Sequence, residues 1–227
     1  MPEVKTWAMD VRMSFQKTGM AKFISHLDTV RCITRAMKRA NVPVWFTEGF
    51  NPHAFLTFAM PLSLGFESLC ETVDFRLMEE VDLNELKERL NNALPVDITV
   101  KEIYVYDTTP NDIRWAEYKI IFNNPDSLLF DKAESRLSSD EIIVLKKAKQ
   151  GRKKVDKEVN IKEHIKSFEL NKDDEKLVLK TVLSSGTSMN INPMLLIGAL
   201  VKDTATDEQD VDIIKVQSYT ENMEVFR

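Results

Sequence analysis

The chain has 227 residues, 43% hydrophobic and 30% charged, with a formal net charge of -5 at pH 7. This balance excludes a largely disordered chain and a protein coated in positive charge for bulk nucleic-acid binding, while leaving room for a local basic groove. The length fits one large domain or two of roughly 100 residues each. Cys32 and Cys70 stand in no CxxC or Cys/His pattern, as expected of reduced thiols in a cytoplasmic protein. Neither a signal-peptide core nor a run of about 20 apolar residues is present, so no membrane segment is expected.

Met9, Val11, Met13 and Phe15 alternate with Asp10, Arg12 and Ser14, the period of a half-buried strand, and Lys17-Thr18-Gly19 turns the chain. Ser25 and Asp28 have capping-box spacing, and the helix they open is predicted to reach Arg39 or Ala40. Leu27, Val30, Ile33, Met37 and Ala40 are its expected inward face, and Arg31, Arg35, Lys38 and Arg39 its positive one. Asn41-Val42-Pro43 ends it. A short extended segment at Val44-Trp45-Phe46 leads into the loop Gly49-Phe50-Asn51-Pro52-His53, and a strand is predicted over Ala54 to Phe58. Pro61 to Gly65 reads as a bulge or turn. A strand over Glu71 to Leu77, a helix over 82–92 with Leu83, Leu86 and Leu90 inward, and a strand over Ile98 to Val105 complete the first half.

The polar stretch 107–112 is the expected boundary, dividing the chain into residues 1–107 and 108–227. Beyond it the patterns predict a strand over Trp115 to Phe122, a helix over Pro125 to Leu137 and a short strand over Ile142 to Lys146. Further strands are expected near Val155 to Ile161, over Lys176 to Leu183 and over Asp212 to Gln217, with a helix capped by Asn192 and opened by Pro193. The fold class expected is α/β (α+β): two ferredoxin-like β-α-β-β-α-β sandwiches packed together.

Four pieces, Arg12-Met-Ser-Phe-Gln-Lys-Thr-Gly19, Phe23-Ile-Ser-His-Leu-Asp28, Gly49-Phe-Asn-Pro-His53 and Pro61-Leu-Ser-Leu-Gly65, in this order resemble the radical SAM-linked protein family. The resemblance continues through Lys153-Lys154-Val155-Asp156, Gly186 and Asn192-Pro193. Members occur fused after a radical SAM enzyme domain or beside one, often near genes for ribosomal proteins and a ribonuclease. The resemblance therefore implies an accessory domain with a radical SAM protein as partner and RNA or a ribonucleoprotein as substrate. Two cysteines cannot supply the three-cysteine cluster motif of such an enzyme, so catalysis would belong to the partner.

Two basic features invite phosphate: the helix face of Arg31, Arg35, Lys38 and Arg39, with Arg12, Lys17 and Lys22 nearby, and the run containing Lys146, Lys147, Lys149, Arg152, Lys153, Lys154 and Lys157. A solvated face is the simpler account of each alone. Phe50, Asn51 and His53 form the expected recognition loop, while Trp45, Phe46 and Phe55 are weighed as stacking residues against ordinary core packing. The acidic stretch from Glu67 through Glu88 is expected to face solvent. If the loop folds back, His26 and His53 make a polar site beside Ser25, Asp28 and Asn51. The alternatives are a histidine-dependent ribonuclease using His26 and His53, and a protein-binding adaptor without RNA contact. Zinc held by His26, Asp28 and His53 is weighed and set aside because their spacing is not diagnostic, so no metal or cofactor is expected.

Overall fold

The computed structural model describes residues 7–150, 153–173, 175–187 and 189–227, and side chains outside 147–156. It forms two compact units, Met1–Asp112 with Phe226–Arg227, and Ile113–Val225. Both are mixed α+β, and four α-helices are present among the described residues.

In the first unit, β1 (Met9–Lys17) is followed by a 3-10 helix (Gly19–Phe23), α1 (His26–Arg39), β2 (Leu56–Phe58), β3 (Glu67–Leu77), α2 (Leu83–Ala93) and β4 (Ile98–Tyr104). β1 lies antiparallel between β3 and β4, and β2 adds to the far side of β3, giving the order β4-β1-β3-β2. Val11, Met13 and Phe15 on one face of β1 join Ile33 and Met37 of α1 and Leu86 and Leu90 of α2 in one buried core. Local chemistry fixes the helix starts. Ser25 Oγ accepts from the Asp28 amide at 3.1 Å, and the Asp82 carboxylate accepts from the Asn84 and Glu85 amides.

The second unit runs β5 (Trp115–Phe122), α3 (Leu129–Ser138), β6 (Ile143–Gln150), β7 (Lys153–Asn160), β8 (Ile165–Asp173), β9 (Lys176–Ser184), α4 (Pro193–Val201) and β10 (Val211–Tyr219). Its sheet order is β10-β5-β9-β8, with every pair antiparallel. β6 and β7 form a separate hairpin paired from Ile143↔Asn160 to Gln150↔Lys153, inserted between α3 and β8. Asn192 caps α4 by accepting from the Met194 amide at 2.9 Å, with Pro193 opening the helix.

Several expectations need correction. Leu27 is 56% exposed, and Thr29 and Ala36 take buried positions on α1 instead. The helix predicted from Pro125 starts at Leu129, because Asp126 is used as a turn, its carboxylate accepting from the Leu128 and Ala205 amides. β3 begins at Glu67, four residues before the alternation from Glu71, and Val44 and Phe46 make single bridges rather than a strand. β8 escapes the sequence pattern because it is largely exposed, with Ile165 and Leu170 half-buried.

The polar side of β1 is buried at its centre. Arg12 has no exposed surface; its Nε and Nη2 donate to the two Asp74 carboxylate oxygens at 2.6 and 2.8 Å. Nη1 and Nη2 donate to Thr108 Oγ1 and its carbonyl, and the guanidinium lies 4.3 Å from the Tyr106 and Phe226 ring centres. Lys17 is buried and donates to the Ile24 carbonyl, and burial lowers its pKa against the opposing pull of Glu71. Neither residue belongs to a surface basic cluster. The expectation of a solvent-facing acidic stretch fails at the same place, since Glu71 and Asp74 are buried.

Candidate nucleic-acid interface

Arg31, Arg35 and Arg39 recur every fourth residue and fall on one exposed side of α1. They line a groove of about 580 Å³ with Asp28 and Cys32, opposite Ala93, Leu94 and Pro95 at the end of α2. Two groups fix its ends. Arg31 donates to Asp28 at 3.2 Å, and Arg39 donates to the Ala93 carbonyl at 2.6 Å, tying α1 to the terminus of α2. Arg35, between them, has no carboxylate partner among the described residues, so its charge stays available to an incoming anion. Lys38 is exposed on α1 but does not line the groove.

The electrostatics follow from this layout. Hydrogen bonds from Ser25 and then Arg31 hold the Asp28 carboxyl below the usual carboxylate range, so it remains an anion at the groove's mouth. Desolvation pushes the Cys32 thiol up, outweighing the opposite pull of Arg39 and Arg35. Cys32 is therefore expected to alkylate several-fold more slowly with iodoacetamide at pH 8 than an unhindered thiol. Peptide mass spectrometry checks this, and a rate equal to the free thiol's would contradict it.

The histidines do not share one polar cluster. His26 packs edge-on against Phe58, ring centres 5.0 Å apart, whereas His53 Nδ1 lies 3.1 Å from Thr47 Oγ1 and 3.0 Å from the Asn51 carbonyl. The Gly49-to-His53 loop closes as a small hairpin through the Phe46↔Ala54 bridge and the Thr47 amide on the His53 carbonyl. Gly49 turns it at φ +130°, and Phe50 stands fully exposed at its tip beside exposed Asn51. No cluster of three metal-ligating side chains occurs among the described residues.

The model of a family described as "Uncharacterized protein conserved in bacteria (DUF2344)" matches residues 11–193. The chain belongs to that family. Membership makes no statement about radical SAM chemistry, which rests on the motif resemblance. No curated protein matches the chain. Among solved structures, it is similar to an unknown protein from Galdieria sulphuraria, with 11% identity over 92% of this chain and 98% of that one; the TM-score of 0.27 carries no argument.

In this DUF2344 member Lys146, Lys147 and Lys149 of the second basic run fall on β6, and Lys153, Lys154 and Lys157 on β7. Arg152 and the side chains of Lys147, Lys153 and Lys154 lie outside the described residues. Of that run, Lys146 donates to the Asn190 carbonyl. Trp45 and Phe55 are committed inside the first unit: the Arg76 guanidinium lies 3.6 Å from the Trp7 ring, 4.2 Å from Phe55 and 5.2 Å from Trp45. That leaves Phe50 and Phe46 as the exposed aromatics of the four weighed for stacking. The sequence reading missed the groove's second wall. Its signal, Leu94-Pro95 ending a helix, marks a stop and gives no hint of what it faces. No helix of the described residues is long and apolar enough to cross a membrane.

Proposed function

We propose that this chain is a non-catalytic accessory protein whose first unit holds the phosphate backbone of RNA or a ribonucleoprotein on behalf of a radical SAM enzyme. The arginine-lined groove carries the RNA part of the reading: guanidinium groups suit phosphate, and such contacts bind without reading sequence. The enzyme partner rests on the motif resemblance. We read each unit as a ferredoxin-like sandwich, because each has the split β-α-β-β-α-β order, in the second unit once the inserted β6–β7 hairpin is set aside, with the first and third strands of its sheet central. Arg35→Glu is expected to weaken RNA binding at least tenfold while stability stays within about 0.5 kcal/mol, the usual range for a surface change. Anisotropy titration and denaturant unfolding test this, and unchanged affinity would remove the groove from the reading.

A specific observation favours protein docking as a second reading. Met20, Phe23, Leu27 and Leu64 are all more than half exposed, and the Gly65 amide donates to the Lys22 carbonyl, bringing the Leu64 loop beside Phe23. Such a patch suits a protein partner. Phe23→Glu combined with Leu64→Glu is expected to abolish co-purification of a radical SAM protein and leave RNA affinity unchanged. Retained co-purification would sink this reading.

A further inference from the structure

The groove's two walls differ in chemistry, and the difference narrows the ligand. Along α1 the three arginine positions are separated by four residues, or about 6 Å of helix rise per step, a spacing on the scale of successive charges along an extended polymer. The facing wall offers Ala93, Leu94 and Pro95. Its polar atoms are largely spent within the protein: the Leu94 amide donates to Leu90, the Pro95 carbonyl accepts from the Ile98 amide, and the Ala93 carbonyl accepts from Arg39. A free inorganic anion gains nothing from that apolar wall, whereas a nucleotide has an apolar base face to lay on it. The volume is within the range of clefts that enclose small ligands, whereas double-stranded RNA is recognised across a surface spanning about 16 base pairs.

Resting on the RNA-contact reading above, we infer that the groove takes a short stretch of single-stranded RNA, with up to three phosphates on Arg31, Arg35 and Arg39 and a base face against Leu94 and Pro95. Recognition is sequence-tolerant, since the apolar wall presents few groups to read base edges. Cys32 lines the groove and reports on its occupancy.

The test uses the full chain with a labelled hexauridylate, an RNA hairpin duplex of equal charge, and polyglutamate. Hexauridylate is expected to bind at least tenfold tighter than the duplex, with a log–log salt slope near about -2, as three single-strand phosphates require. It is also expected to slow alkylation of Cys32 and leave that of Cys70 unchanged. Leu94→Asp and, should that variant fold poorly, Pro95→Asp are expected to lower hexauridylate affinity at least tenfold. Equal or tighter duplex binding, hexauridylate binding without Cys32 protection, or protection by polyglutamate alone would each overturn the inference. Of these, the first two leave RNA binding itself standing. Absence of binding to either RNA overturns the parent reading as well.

Discussion

Arg12→Ala is expected to cost the first unit about 3–5 kcal/mol, because it strands the Asp74 carboxylate in the interior without its cation. The lost contacts are two charge-assisted hydrogen bonds to Asp74, two bonds to Thr108, and packing between Tyr106 and Phe226. Against the roughly 5–15 kcal/mol that holds a typical domain together, this is a large share. For a unit of about 100 residues it lowers the melting temperature by at least about 10 °C. Replacing both partners, Arg12→Met with Asp74→Leu, is expected to recover more than half of the loss, since an apolar pair leaves no buried charge behind. Differential scanning calorimetry of the single and double variants reads both quantities. A single-variant loss below about 1 kcal/mol would show that water reaches Asp74 and that the pair is not sealed.

Gly186→Ala is the second large effect, this time in the second unit. A Cβ at position 186 would lie 2.4 Å from the Ile113 carbonyl oxygen, and the backbone φ of +157° disfavours any side chain there. Relief by movement is difficult. The Ser185 amide donates to the Arg114 carbonyl at 2.8 Å, Trp115 pairs with Ser184 in the β5–β9 ladder, and Ile113 is fully buried. Backbone strain and overpacking together are expected to cost about 2–4 kcal/mol. Gly49→Ala supplies the control: φ is +130° but nothing lies within 4 Å of the new Cβ, so that variant shows the conformational cost alone, about 1 kcal/mol. Urea unfolding of the two variants separates the terms. Equal losses would mean that the Ile113 carbonyl yields freely.

One wall of the candidate groove was legible in the sequence. The four-residue spacing of Arg31, Arg35 and Arg39 places them on one helix face without the help of any tertiary contact. Lys38, counted with them, shares exposure but not the groove, because three residues of helix turn it away from the α2 wall. Arg12 and Lys17 were charged and near in sequence, which suggested surface; both are buried by packing that no local pattern announces.

By itself the sequence determined the pieces whose physics is local. Alternation over Trp115–Phe122 placed a strand with the same ends the structure has, and Ser25 and Asn192 cap helices through amides two or three residues away. Tertiary structure alone decided which faces are covered: Arg12 sealed against Asp74, and Ala93–Leu94–Pro95 brought opposite the arginine row. Periodicity says which side chains share a face, whereas burial of that face depends on partners distant in sequence, and those are set by packing of the whole unit.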